Sequence, residues 1–166
     1  MLITRNSLYF LFATAFGLGL LPLIPGTFAA LLGVLLHCAI ALVSPPVYHF
    51  WLLLLAFSLA SFACLYLNDW AEAYWGEKDS KHFVLDEVAG YLLTVLLFSS
   101  GLWWKRIIWA LLLFRLMDVT KLGPPARYID KRRSGAWAVL FDDLVSACYA
   151  AAILQLMFHY CPNLLL

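Results

Sequence analysis

The chain has 166 residues, of which 64% are hydrophobic and 13% are charged, with a formal net charge of +1. Soluble domains are about 45–50% apolar and about 25% charged, so the composition excludes an ordinary soluble domain and favours a membrane protein. The small net charge gives no support for nucleic-acid binding. The four cysteines are scattered through apolar segments, without the spacing of a zinc or redox site. We expect one membrane domain over residues 1–166.

The first third of the chain carries no charged residue between positions 6 and 68. That length suffices for two or three spans of about 20 residues each. Prolines at positions 22, 25, 45 and 46 interrupt the run, which predicts helices near 7–20, 28–43 and 47–67. The apolar run after Arg5 is shorter than the roughly 7–15 residues of a signal peptide, so we expect it to be retained.

The segment 22–27, PLIPGT, differs from its apolar neighbours because two prolines and a glycine free several backbone groups. Such a loop must lie within protein or beside a water-filled cavity. Thr27 suits the N-cap of the following helix, and a helix N-terminus is a natural anion site. A plain turn between two helices explains the same residues.

A charged block over residues 69–87 holds six acids and two lysines and must lie outside the hydrocarbon. Its first part resembles the end of an amphipathic helix, which Gly76 is placed to stop. Asp86 and Glu87 directly precede a new apolar run over 88–104. Acids in a first helical turn also favour the helix dipole, which is a purely structural explanation for this pair.

The second charged block covers residues 114–143 and follows a turn predicted at Lys105-Arg106. In a helix near 107–121, Arg115, Asp118 and Lys121 are spaced three apart and form one stripe. Such a stripe can also be merely self-paired and snorkelling. The helix is predicted to end at 122–125, LGPP, before a basic loop that contains Arg127. Another acid pair, Asp142-Asp143, then precedes an uncharged final span over 144–166.

The distribution of basic residues predicts the orientation. With both charged blocks on one side, that side has eight Lys or Arg, against Lys105 and Arg106 on the other. The positive-inside rule then places both blocks in the cytoplasm. The sequence therefore predicts an all-α, polytopic membrane bundle of about five or six helices with a polar site on its cytoplasmic face.

Five carboxylates are predicted to meet on this face: Asp86, Glu87, Asp118, Asp142 and Asp143. Unpaired, they would repel one another, and Mg²⁺ would resolve the repulsion because it takes oxygen ligands. Arg115, Lys121 and Arg127 supply fixed cations, so the composition is that of a phosphoryl-transfer site. A lipid phosphate as the substrate would explain why such a site lies in a protein composed mostly of membrane helices.

Proteins of other classes also place acidic residues in or beside membrane helices. An ion transporter usually holds its acids near the membrane midplane rather than at helix ends. Unrelated interfacial ion pairs and an assembly protein also remain open. A CDP-alcohol phosphotransferase is rejected, because apolar residues occupy the places of its aspartates and second glycine: Leu122, Ala136, Leu140 and Leu144.

Four stretches, in order and at matching spacing, resemble the bacterial phosphatidylglycerophosphatase A family: GLGLLPLIPGT (17–27), DSKHFVLDEVAGYL (79–92), FRLMDVTK (114–121) and SGAWAVLFDDLVSA (134–147). The resemblance covers nearly the whole chain. It implies an all-α fold, Mg²⁺ dependence, and hydrolysis of phosphatidylglycerophosphate to phosphatidylglycerol and phosphate at the bacterial inner membrane. Whether a water or an aspartate attacks the phosphorus stays open, as does the oligomeric state.

The resemblance also implies roles for particular residues. The acids that serve metal binding and catalysis are Asp86, Glu87, Asp118, Asp142 and Asp143. Arg115 and Lys121 hold the phosphate, and Pro25, Gly26 and Thr27 help to shape the pocket. The sequence departs from the family pattern in three places: Leu122-Gly123 stand before Pro124, Ser134 replaces a glycine, and Phe28-Ala29 replace Gly-Ser. These loop changes leave open a phosphatase for another lipid phosphate.

Overall fold

A computed structural model describes residues 5–78, 80–121 and 135–166, and within these ranges the regular structure is entirely helical. Six α-helices follow one another: α1 Arg5–Ala13, α2 Pro25–Val43, α3 Pro46–Trp75, α4 Leu85–Leu97, α5 Trp103–Thr120 and α6 Ala136–Tyr160. Two short 3₁₀ turns, Leu18–Leu20 and Pro162–Leu164, follow α1 and α6. Within the described residues, the predicted all-α bundle of about five or six helices is confirmed.

Three of the described helices, α2, α3 and α6, are long and apolar enough to cross a membrane. Their outward surfaces carry large apolar side chains, such as Trp51 and Phe62 on α3, that are mostly exposed. In water such a surface would be costly, whereas lipid tails solvate it without penalty. Length and surface together indicate that the bundle is embedded in a membrane.

The short helix α4 lies at the centre of the bundle and packs against α2, α3, α5 and α6. Its 13 residues rise about 20 Å at 1.5 Å each, less than the roughly 30 Å hydrocarbon core. Gly90 permits the close packing, because a Cβ there would lie 2.4 Å from the Phe114 ring of α5. Because α4 is surrounded by protein, its acidic first turn is held inside the bundle rather than in lipid.

Two predicted boundaries near the N-terminus are wrong. The helix expected over 7–20 ends at Ala13, because Ala15, Phe16 and Gly17 take positive φ angles and turn the chain. Helix α2 starts at Pro25 instead of residue 28, since proline lacks the N–H that a first helical position leaves unused. Thr27 therefore lies in the first turn of α2 and is not its N-cap.

The later boundaries also differ in part. Helix α3 continues past residue 67 to Trp75 and ends at Gly76, whose φ of 71° confirms the predicted stop. The turn expected at Lys105-Arg106 lies instead before Trp103, around Gly101 with φ 84°, so both basic residues belong to α5. Helix α6 starts at Ala136, and Asp142-Asp143 lie about two turns inside it rather than at its mouth.

Candidate active site

The five predicted carboxylates meet at one end of the bundle, although they come from three helices. Asp86 and Glu87 occupy the first turn of α4, Asp118 the last turn of α5, and Asp142-Asp143 the N-terminal part of α6. Oxygens of Asp86, Glu87 and Asp143 all lie within 4.8 Å of one another, and so do oxygens of Asp118, Asp142 and Asp143. Asp143 belongs to both groups, which makes it the centre of the cluster.

These acids are largely removed from solvent. Asp86, Asp142 and Asp143 are 6%, 7% and 4% exposed. One oxygen of Glu87 and one of Asp143, Oε2 and Oδ2, are buried without a hydrogen-bond partner among the described residues. Buried negative charges this close are costly unless a cation or a proton compensates them. Glu87 and Asp143 therefore each keep a buried acceptor oxygen within a group of neighbouring acids.

Arg115 connects three helices at this end. Its Nε donates to Thr27 Oγ1 of α2 over 3.1 Å, and one Nη donates to Asp118 over 2.6 Å. The same Nη lies 3.9 Å from Glu87 Oε1 of α4. The Arg115 side chain is only 16% exposed, and its planar guanidinium is held in one orientation beside the acids by these contacts.

Lys121 provides the second cation. Its ammonium forms an ion pair with Asp142 of α6, and its backbone, with φ 46°, ends α5. This left-handed conformation is uncommon for a residue with a side chain, and it ends α5 beside the acid cluster. The structure thus brings together five acids and two cations, which leaves the acids in excess among the described residues.

The first turn of α2 closes one side of the cluster. Gly26 is buried there, and a Cβ on it would lie 2.1 Å from Glu87 Oε1 and 3.0 Å from an Arg115 nitrogen. Only a residue without a side chain allows this approach. Pro25 starts the helix and Thr27 accepts from Arg115, so the predicted segment Pro25-Gly26-Thr27 does line the site.

A hydrogen bond that the sequence did not predict holds the segment before α2 in place. His82 Nδ1 and the Gly19 carbonyl oxygen form a hydrogen bond of 2.9 Å, and a Cβ on Gly19 would lie 2.3 Å from the His82 carbonyl oxygen. The contact joins the segment before α2 to the segment before α4. Gly19 lies in the same motif as Gly26, and His82 lies in the same motif as Glu87. Their presence in these two motifs was the sequence signal that could have indicated the contact.

One predicted site residue, Arg127, is not among the residues that the structure describes. The LGPP segment over 122–125 and the basic cluster over 131–133 also lie outside them. A role for Arg127 stays a prediction, and so do the individual roles of the acids in metal binding and catalysis.

A membrane-embedded helical bundle with buried acids and fixed cations at one end has the groups that an integral-membrane enzyme acting on phosphate needs. Sequence comparison identifies the particular group within that class. The family described as Phosphatidylglycerophosphatase A matches residues 11–158, and the chain belongs to this family. Membership makes the protein a phosphatase, a hydrolase of phosphoric monoesters.

Individual relatives agree with the family. A phosphatidylglycerophosphatase A of Haemophilus influenzae is 32% identical over 143 residues, which is 86% of this chain and 84% of that protein. One of Escherichia coli is 26% identical over 152 residues, 92% and 84% of the two chains. A Bacteroides thetaiotaomicron protein, provisionally named a phosphatidylinositol-3-phosphatase, is 31% identical over 142 residues, 84% and 87%. No solved structure matches the chain.

Proposed function

We propose that the protein is a Mg²⁺-dependent lipid phosphatase that hydrolyses phosphatidylglycerophosphate to phosphatidylglycerol and inorganic phosphate in phospholipid biosynthesis. One observation supports this above others: five carboxylates from three helices gather beside Arg115 and Lys121 at one end of a membrane bundle. The names of the Haemophilus and Escherichia relatives support the choice of substrate.

The acid cluster fits Mg²⁺ by its chemistry. All its donors are carboxylate oxygens, which is the ligand type that a hard divalent cation prefers. The oxygens of Glu87 and Asp143 that lack a hydrogen-bond partner among the described residues are available as ligands. We assign Asp86, Glu87, Asp118, Asp142 and Asp143 to hold the ion. When bound, it would polarise the phosphoryl group and offset the negative charge of the acids.

The remaining side chains have separable tasks. Arg115, oriented by Thr27 and Asp118, binds phosphoryl oxygens and stabilises the charge that develops on them in the transition state. Lys121 adds a second positive charge on the side of α6. If a water attacks the phosphorus in line, it gives a proton to a neighbouring carboxylate, the bond between phosphorus and the glycerol oxygen breaks, and that oxygen takes up a proton as phosphatidylglycerol departs. If an aspartate attacks instead, the same bond breaks, and a water then hydrolyses the aspartyl phosphate to release inorganic phosphate.

The surface next to the site suits the acyl chains of a lipid. The segment before Pro25 exposes apolar side chains, and Leu23 is 96% exposed. This segment continues directly into the first turn of α2, where Gly26 and Thr27 line the site. A lipid can therefore keep its tails in the hydrocarbon while its phosphate reaches Arg115.

The membrane and the orientation are part of the proposal. The two charged blocks contain eight Lys or Arg, whereas Lys105 and Arg106 lie at the start of α5, at the opposite end of that helix from Asp118. The positive-inside rule then places the acid cluster on the cytoplasmic side of the bacterial inner membrane. A lipid phosphate made in the cytoplasmic leaflet would meet the site without crossing the bilayer.

A second candidate function is hydrolysis of another lipid phosphate. It is favoured by the Bacteroides relative, whose name refers to a phosphoinositide, and by the sequence departures around the LGPP segment and at Phe28-Ala29. A non-enzymatic transporter or assembly protein would pair all its acids with basic residues. Here the described acids outnumber the cations beside them, and the family is enzymatic.

Phosphate release from purified protein in detergent micelles tests the proposal. We expect phosphatidylglycerophosphate to be hydrolysed with Mg²⁺ and not with EDTA, and Asp86→Asn to be inactive. Phosphatidic acid and phosphatidylinositol 3-phosphate, assayed in parallel, separate the two candidate substrates. Hydrolysis of phosphatidic acid or phosphatidylinositol 3-phosphate, without hydrolysis of phosphatidylglycerophosphate, would assign the second candidate function. Equal rates for Asp86→Asn and the unaltered protein would contradict both candidate functions.

A further inference from the structure

The end of the bundle opposite the acid cluster contains a cavity of about 280 Å³. It lies between the C-terminal part of α2, the start of α3, the end of α4 and the start of α5. Its polar lining includes His37, His49, Ser99 and Arg106. Arg106 and Asp118 are twelve residues apart on α5, which places the cavity about 18 Å along that helix from the acids.

Arg106 enters this cavity with an uncompensated charge. One Nη donates to the Ser99 carbonyl oxygen, and the other lies 3.5 Å from His37 Nε2. Its Nε is buried and has no hydrogen-bond partner in the described part of the chain. No acidic residue lines the cavity among those described, so nothing there neutralises the guanidinium.

His37 is arranged to support Arg106 rather than to oppose it. Arginine can only donate, so His37 Nε2 acts as the acceptor in that contact, which leaves Nδ1 to donate to the Tyr91 hydroxyl at 3.2 Å. The imidazole is thus ordered between α4 and α5 in its neutral form. A partly buried arginine whose contacts within the protein are all neutral favours the presence of an anion beside it.

We propose that this cavity binds a phosphate-bearing anion, either the headgroup of a phospholipid or free phosphate, separately from the acid cluster. The guanidinium fork matches phosphate oxygens. Apolar side chains, including Ile40 and Leu53, complete the lining and suit the glycerol end of a lipid. The cavity volume is just below the range of small-molecule sites, about 300–1,000 Å³, so the cavity accommodates a headgroup and leaves acyl chains outside.

Native mass spectrometry of the delipidated full-length protein, titrated with phosphatidylglycerol, tests this site. We expect one retained lipid whose dissociation constant rises at least tenfold in Arg106→Gln. Lys105→Gln is the matched control: it removes the adjacent charge, which contacts the Asn163 and Leu166 carbonyl oxygens, and should change binding less than twofold. Asp118→Asn, at the acid cluster, should retain the lipid.

Two further arms complete the test. Ala41→Trp fills the cavity without altering a cation, so it should also abolish retention, and it decides the question if Arg106→Gln does not fold. Displacement of the lipid by inorganic phosphate assigns the site to the phosphate group alone, whereas resistance to displacement assigns it to a lipid. Unchanged binding in both Arg106→Gln and Ala41→Trp, or loss in Asp118→Asn, would overturn the proposal.

Discussion

The backbone of Gly26 lies against the side chain of Glu87 so closely that a Cβ at position 26 would stand 2.1 Å from Glu87 Oε1. The absence of a side chain at position 26 therefore leaves the space in which the Glu87 carboxylate lies. The same approach lets Thr27 accept from Arg115. The geometry of the site depends on this helix contact as much as on the charged residues themselves.

Gly26→Ala should lower activity strongly while leaving stability almost unchanged. The atom that alanine would meet is the movable end of the Glu87 side chain, which must swing away from the cluster. Phosphate release and thermal unfolding, measured together, check this. Gly33→Ala is the matched control on the same helix: its Cβ would lie 2.8 Å from the Tyr91 ring, so it should lower stability and preserve the activity of folded protein.

Asp143→Asn should be among the most damaging conservative changes, because Asp143 contributes to both groups of acids. The substitution removes a negative charge and almost no volume. Loss of residues that merely orient metal ligands costs about 10–100-fold in activity or metal affinity, so we expect a loss of at least 10²-fold. Asp69→Asn removes the same charge from an exposed position on α3 and should retain activity. Equal activity in both variants would argue against the shared role.

The meeting of the acids could be predicted from sequence because charge is costly in lipid. Asp86-Glu87, Asp118 and Asp142-Asp143 adjoin apolar runs, and in a bundle crossing the membrane repeatedly such positions collect at two ends only. Alternate crossing directions then assign all five to the same end. The prediction needed no knowledge of which faces of the helices touch.

The packing could not be predicted in this way. Helices that are apolar all round give little signal about which side faces protein and which faces lipid, so the central position of α4 was hidden. The bridge from Arg115 to Thr27 depends on the rotation of α2 and α5 about their axes. The helix starts at Pro25 and Trp103 depend on local backbone geometry that hydropathy does not encode.

Arg115→Lys should be severely impaired although it keeps the charge. The guanidinium donates through Nε to Thr27 and through Nη to Asp118 at the same time, and a single ammonium cannot reproduce that fork. We expect kcat/KM to fall more than about tenfold, which corresponds to one charge-assisted hydrogen bond of roughly 1.5–3 kcal/mol. Thr27→Val should lower kcat/KM less than Arg115→Lys does. The double variant should be little worse than Arg115→Lys alone, because both substitutions break the same hydrogen bond. Arg5→Lys makes the same change at an exposed position on α1, and this control should retain activity.

Mg²⁺ should stabilise the folded protein. Asp143→Asn should be more stable than the unaltered protein without Mg²⁺ and less stable than it with Mg²⁺. Without Mg²⁺, removing one buried negative charge from the cluster relieves repulsion, so Asp143→Asn should unfold at a higher temperature than the unaltered protein. Binding raises stability by about 2.7 kcal/mol when the free ion is at 100 times its dissociation constant. The unaltered protein should therefore gain several degrees with Mg²⁺, whereas Asp143→Asn gains little.

Thermal unfolding in EDTA and in a Mg²⁺ series, at ionic strength matched with KCl, measures both effects without using activity. Asp69→Asn should shift with Mg²⁺ as the unaltered protein does, because Asp69 lies outside the cluster. If KCl alone reproduced the shift, screening of the acids would explain it. A full Mg²⁺ shift in Asp143→Asn would show that the ion binds elsewhere, since Asp143 is the residue that both groups of acids share.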